Sequence, residues 1–162
     1  MERTALSRFL DAIYPAFLNG DPEVDRKAIE KENIEHLRSM YQAITHGDIA
    51  TFASKLSDDT EMIIHGPPSI PFVGTWKGKD EVLAAMGRNL SHTTLQLPEV
   101  LSVVAQGNVI VLYARDRGIV RATGAAYAAL SVQLFTFEKG KLVRFEQVFD
   151  TAALVEAFRT DR

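Results

Sequence analysis

The sequence predicts an α+β domain in which helices come first and a sheet of antiparallel strands follows. Three observations carry this. Up to about residue 90 apolar residues recur at helical spacings of three and four, and after about residue 93 they recur every second residue. A single strand signal, the run around Met62–Ile64, interrupts the helical part. Between the later apolar stretches lie Gln106-Gly107-Asn108 and Glu138-Lys139-Gly140, which have the composition of hairpin loops. Runs of helix followed by runs of strand are the pattern of α+β architecture, with helices covering one face of the sheet.

Taken in order, residues 3–18 place Leu6, Phe9, Leu10, Ile13 and Phe17 on one helical stripe, which must be buried at a pocket mouth or a partner. Pro15 bends or ends that helix, and Asn19-Gly20-Asp21-Pro22 is a turn. A longer helix runs from about Glu23 to Thr45, with Ile34, Leu37, Tyr41 and Ile44 apolar and Lys27, Glu30, Lys31 and Glu35 on the other side. Gly47 suits its C-terminal cap, and Asp48 can cap a short helix over 49–56. The stretch "LSDDTEMIIHGPP" then feeds one strand that ends at His65. "WKGKDEVLAAMGRNL" reads as a cap at Asp80 and a helix burying Val82, Leu83, Met86 and Leu90. Strands are expected at about 93–105, 108–121, 125–138 and 141–149, and Asp150 or Thr151 caps a last helix that packs Leu154 and Phe158 on the sheet.

The composition narrows the function classes. The chain has 162 residues, 46% of them hydrophobic and 24% charged, enough for one domain with a sizeable core. A formal net charge of −3 offers no basic excess for a phosphate backbone, so no nucleic-acid partner is expected. No apolar run approaches the roughly 20 residues of a membrane span, and the N-terminus lacks the apolar centre of a signal peptide. With no cysteine there is neither a disulfide framework nor a thiolate metal site, and a cytoplasmic location is the default expectation. The four histidines, at 36, 46, 65 and 92, show no metal-ligand spacing, and no glycine-rich phosphate loop is present. No metal and no cofactor are expected.

Two strands carry more. In "YAALSVQLFTF" one face holds Tyr127, Ala129, Ser131, Gln133, Phe135 and Phe137, and the other holds Ala128, Leu130, Val132, Leu134 and Thr136. In "VIVLYARDR", Val109, Val111, Tyr113, Arg115 and Arg117 alternate with Ile110, Leu112, Ala114 and Asp116. A sheet with one wet face should alternate apolar with polar, yet here both faces are largely apolar. One face packs on the helices. The other needs a cover, and a second copy of the chain supplies one economically, so a homodimer through the outer sheet face is expected.

The order of elements, together with "HGDIATFASKLSDD", "IIHGP", "FVGTWKGKDEV", "RATG" and "FEKGKLVRFEQVFDTAAL", resembles the nuclear transport factor two-like superfamily. Within it the sequence is most similar to SnoaL-like polyketide cyclases and ketosteroid-isomerase-like proteins. The resemblance spans about residues 30–158 and divides the chain into an N-terminal helical extension (1–25) and a SnoaL-like domain (26–162). It implies a cone of the cystatin-like kind: a curved antiparallel or mixed sheet wrapped around helices, with a deep apolar pocket inside. It also implies a small, hydrophobic, cyclic, carbonyl-containing ligand, which some relatives process by moving a proton next to the carbonyl and others only bind.

The resemblance places His65 at the isomerase base position, within one residue, and an imidazole is an ordinary proton shuttle at neutral pH. Equally, a strand-end histidine can simply bond a loop carbonyl. Gln133 takes the place of the neutral aspartic acid that donates to the enolate in ketosteroid isomerase, a case long used to illustrate pKa tuning. The isomerase tyrosine position on the long helix holds Met40, with Tyr41 one residue on and about 100° round the helix. Further pocket candidates are Trp76, Tyr113, Tyr127, Phe135 and Gln147, the last standing where relatives often carry glutamate. Arg115, Arg117 and Arg121 with Asp116 read as a solvated strand end. Two functions stay open: a pocket that binds a small apolar molecule, and an isomerase or cyclase with His65 as base and Gln133 as donor.

Overall fold

The computed structural model describes residues 23–94 and 98–160. The expected N-terminal helix over 3–18 lies outside the described residues. The chain runs α1 (Glu23–Thr45), α2 (Ile49–Ser54), β1 (Leu56–Ile64), β2 (Gly74–Lys77), α3 (Lys79–His92), β3 (Glu99–Gln106), β4 (Val109–Ile119), β5 (Ala126–Glu138), β6 (Lys141–Phe149) and α4 (Thr151–Phe158). The strands form one six-stranded sheet in the order β2-β1-β6-β5-β4-β3. All neighbours pair antiparallel except β1 and β6, which run parallel, so the sheet is mixed.

The α+β order, the long helix and the last three strands match the sequence reading; the strand expected from about 93 begins only at Glu99, and several other details are corrected. A sixth strand, β2, was not expected; its four residues are too few to show a period, and it pairs Trp76 with Met62. Helix α2 stops at Ser54 because β1 begins at Leu56, whose side chain is already core. Asp48 caps α2 as expected, its carboxylate accepting from Thr51 N at 2.9 Å, and Asp150 likewise caps α4. Helix α3 begins one residue before Asp80, with Gly78 as its cap.

On α1 the buried line is Asn33, Leu37, Met40 and Ala43, while Ile34 is exposed. Met40 therefore faces the sheet rather than merely adjoining the apolar stripe. Asn33 is buried because its amide reaches Gly107 O (3.4 Å), while Glu30 accepts from Gly107 N (2.9 Å). These two bonds tie α1 to the β3–β4 hairpin tip. Val82 is buried as expected and Ala85 joins it, whereas Leu90, expected in the core, is exposed.

Side-chain alternation holds cleanly on β4 and β5. Ile110, Leu112 and Ala114 face the helices together with Ala129, Ser131, Gln133, Phe135 and Phe137, all buried. On β6 the pairing shifts between Thr136 and Phe137, a bulge that lets Leu142, Phe145 and Gln147 all turn to the helical side. The opposite sheet face exposes Val104, Tyr113, Ile119, Leu130 and Val148.

Candidate functional site

Between α1, α3 and the concave side of the sheet lies a cavity of about 230 Å³. Its walls are apolar, including Leu37, Met40, Ile44, Met62, Phe135 and Phe145, and one end is polar. That end is built from three adjacent strands: Asp116 from β4, Ser131 and Gln133 from β5, and Gln147 from β6. The register places Gln133 opposite Gln147 and Leu112 opposite Gln133, so these groups converge from neighbouring pairs on one face.

The polar groups form a directed chain. Tyr41 O–H donates to Gln133 Oε1 at 2.7 Å, which fixes the amide with its nitrogen turned the other way. Gln133 Nε2 is then shared between Ser131 Oγ (3.3 Å) and Asp116 Oδ1 (a long 3.5 Å). Gln147 Nε2 donates to Asp116 Oδ2 at 3.1 Å. Burial raises the Asp116 pKa, and donors from Ser131, Gln133 and Gln147 oppose that rise. Burial, followed by the Asp116 charge, pushes the Tyr41 hydroxyl well above the usual tyrosine value, so it stays a donor. The ensemble is a carboxyl group whose proton affinity is raised by burial, set at the polar end of a largely apolar hollow.

Asp116 is the residue that sequence reasoning misplaced. Its signal was present: it falls in phase with Ile110, Leu112 and Ala114, the buried side of β4. The arginines on either side drew it into a solvated cluster instead. In fact Arg115 and Arg117 both bond Glu99 (3.0 and 2.9 Å) and Arg121 donates to Thr93 O (3.1 Å), leaving Asp116 to the interior.

His65 does not reach the cavity. Ile64 is the last inward residue of β1, and the next side chain turns to the opposite face, where the imidazole is 51% exposed. There its Nε2 lies 2.7 Å from Glu146 Oε1, and Glu146 also bonds Arg144 Nη2 (3.1 Å). The imidazole and then Arg144 hold the Glu146 carboxyl below its usual pKa. The expectation of His65 facing the hollow is therefore corrected to an outer-face hydrogen-bond partner of Glu146. Substituting His65→Ala is expected to leave ligand affinity in the cavity unchanged within about twofold, measured by calorimetry.

Of the other candidates, Met40, Tyr41, Phe135 and Gln147 line the cavity. Tyr113 is exposed on the outer face and is corrected accordingly. Trp76 does not line the cavity; it packs its indole against the core over Gly74, where a Cβ would sit 3.0 Å from the ring. Tyr127 lies further along, in a second hollow, and burial raises its hydroxyl pKa. It rests on Gly118, where an added Cβ would come within 2.7 Å of the Tyr127 hydroxyl and 2.8 Å of its ring. Gly118→Ala is expected to displace Tyr127 and cost about 1–2 kcal/mol by overpacking, read from urea denaturation. Among the described residues no three histidine, aspartate or glutamate side chains converge as a metal site, and no helix is long and apolar enough to cross a membrane.

A family model described as a SnoaL-like domain matches residues 37–145. A comparison with curated proteins found no match. Solved structures do match. An NTF2-like protein from Burkholderia xenovorans LB400 is 25% identical, covers 80% of this chain and 98% of its own, and superposes with a TM-score of 0.74. A protein from Jannaschia sp. CCS1, provisionally named a SnoaL-like polyketide cyclase, is 17% identical with a TM-score of 0.72, covering 83% of this chain and 96% of its own. TerC, co-crystallised with polyporic acid, is 22% identical with a TM-score of 0.69 and covers 78% of this chain and 98% of its own.

Proposed function

The chain belongs to the SnoaL-like domain family of the nuclear transport factor two-like superfamily, and from that premise we propose that its cavity binds a small cyclic carbonyl compound and that Asp116 moves a proton next to the carbonyl. The observation that carries this reading is a half-buried carboxyl bonded by two glutamine amides at the polar end of a largely apolar hollow. Apolar walls favour a ring by excluding water from it, at roughly 25 cal/mol for each Å² buried. In the reaction the Asp116 carboxylate takes a proton from the carbon beside the carbonyl. The C–H electron pair becomes the C=C of an enolate, and the negative charge moves to oxygen. Gln147 Nε2, with one N–H left beyond its bond to Asp116, is the donor within the cavity that can face this oxygen, while the single Tyr41 O–H is already given to Gln133 Oε1. The proton on Asp116 then returns to a different carbon, which is an isomerisation, or passes to the alkoxide that forms when the enolate carbon attacks a second carbonyl, which is a cyclisation; either way the carboxylate is regenerated.

A raised pKa suits this work, because it makes the ionised carboxylate a stronger base and brings it closer to the operating pH. The test is to incubate the protein with a panel of cyclic enones in heavy water and follow deuterium uptake at carbon by NMR. Uptake that disappears in Asp116→Asn is the expected result. Binding with no uptake in any member of the panel would leave a ligand carrier and remove the catalytic role.

The outer sheet face supports a second, separate proposal: that two copies associate through it. Val104, Tyr113, Ile119, Leu130 and Val148 are each more than a third exposed, and such a contiguous apolar face is costly to leave in water. The paired substitution Tyr113→Glu with Leu130→Glu is expected to halve the mass measured by light scattering. An unchanged mass would reject that surface as the interface.

A further inference from the structure

The helical side of the sheet is left open at its β3 end. Strand β3 is an edge of the sheet, and it carries no charged residue between Glu99 and Gln106. Val103 pairs with Leu112 and Val100 with Ala114, so both share a face with two buried side chains. Each is nevertheless 48% exposed. Helix α1 touches β3 and adds Ile34, itself 36% exposed. Ile34 lies one turn from Glu30, which accepts from Gly107 N at the β3–β4 tip. It lies two turns from Tyr41, which lines the cavity together with Pro98, the residue before β3. Ile34, Val100 and Val103 thus form an apolar trough between α1 and β3, running from the hairpin tip towards the cavity.

An uncharged, apolar edge strand invites association unless something covers it. The first residues of the chain fit that part on three counts. They join α1 at Glu23, on the side of the sheet where the trough opens, whereas the apolar outer face lies beyond the sheet from there. Their spacing puts Leu6, Phe9, Leu10, Ile13 and Phe17 on one stripe, and Asn19-Gly20-Asp21-Pro22, between that stripe and α1, has turn composition. The lengths also agree. At about 1.5 Å per helical residue on either side of such a turn, Leu6 comes level with Ile34, roughly 20 Å from the turn. A tether this short gives the segment an effective concentration in the millimolar range, which a second copy at micromolar concentration does not match.

We propose that the trough between α1 and β3 is the docking surface for the chain's own residues 3–18, which turn back at residues 19–22 and lay their apolar stripe over Ile34 and the inward side chains of β3. The contact is intramolecular. It removes the inner face of β3 from the surfaces at which copies can meet and leaves the outer sheet face for that role.

The chain has no cysteine, so pairs of cysteines can be introduced without background. Leu6→Cys is combined with Val103→Cys on the inner face, and in a comparison variant with Tyr113→Cys on the outer face. The partner positions are exposed, so melting close to the parent is expected. A short bis-maleimide is added to dilute protein, and products are read by gel mobility and peptide mass. The inner pair is expected to link within one chain, about tenfold more than the outer pair. Equal linking of the two pairs, no inner link, or links only between chains would overturn the proposal, the last by giving the trough to a second copy. A measurement without cysteines stands beside it. Trypsin cleavage after Arg8, inside the segment, is timed in the parent, in Ile34→Glu with Val103→Glu, and in Tyr113→Glu. A charged trough should release the segment and speed that cleavage about tenfold, with cleavage elsewhere unchanged, whereas Tyr113→Glu should leave it within twofold. Equal rates in all three proteins would reject the docking surface.

Discussion

Replacing Asp116 with asparagine is expected to lower the rate of deuterium uptake by about 10²–10⁴-fold, the usual worth of a positioned general base. The same substitution changes how stability depends on pH, and the sign follows from burial. Burial disfavours the anion, so the folded protein binds the Asp116 proton more tightly than the unfolded chain does. Between the ordinary carboxylate value of 3.8 and the raised one, the folded state therefore holds more protons. The stability tied to that proton is complete below the ordinary value and is lost as pH rises through the raised one. Each factor of ten in proton affinity corresponds to about 1.4 kcal/mol. Urea titrations of the two proteins across that window should show the parent losing stability relative to Asp116→Asn as pH rises. A constant difference would mean that Asp116 titrates as a surface carboxylate does and is no candidate base. Asparagine also sets an amide nitrogen against one of the two glutamine donors, a fixed penalty that offsets the curve without tilting it.

Gln133→Leu is expected to cost about 2–4 kcal/mol. It keeps most of the volume but takes the acceptor from the Tyr41 hydroxyl, bonded at 2.7 Å, and removes the donor shared by Ser131 and Asp116. A drop of roughly 5–15 °C in Tm follows for a domain of this size. Loss of a donor to the carboxylate also raises the Asp116 proton affinity further, so the pH midpoint of deuterium uptake should move upward. The double variant Tyr41→Phe, Gln133→Leu removes the stranded hydroxyl and is expected to recover part of the stability, a coupling that two independent sites would not show. Strict additivity of the two substitutions would indicate that the Tyr41–Gln133 bond contributes nothing.

Much of this site was readable from residue spacing, and the places where reading failed share a cause. Period-two alternation on β5 put Gln133 and Phe135 on the face that the fold buries, and both line the cavity. The same alternation on β4 grouped Asp116 with Ile110, Leu112 and Ala114, but the identity of its neighbours outweighed its phase. Arginines at 115 and 117 suggested a solvated cluster, whereas side chains one residue away point to the opposite face and cannot pair with it across the backbone. For β1 the phase itself was hidden. Met62, Ile63 and Ile64 are all apolar although Ile63 is only half buried, so nothing in the run distinguishes whether residue 64 or 65 turns inward. The fold settles it through the pairing of Ile64 with Gln147. Helix α1 shows the related difficulty of a polar residue in a buried line: Asn33 is core because a hairpin tip over 70 residues away supplies its partner, a fact with no local trace.

The parallel pairing of β1 with β6 has a consequence for the order of assembly. Strands β4, β5 and β6 follow one another through short hairpins, so the carboxyl and its two amides can meet through local contacts. Strand β1 and its companion β2 leave the ribosome early and must wait for the last strand before they gain a neighbour on that side. Closing so large a loop is slow compared with forming a hairpin. During synthesis the wall carrying Met62 and Ile64 therefore keeps one unpaired edge until β6 has been made.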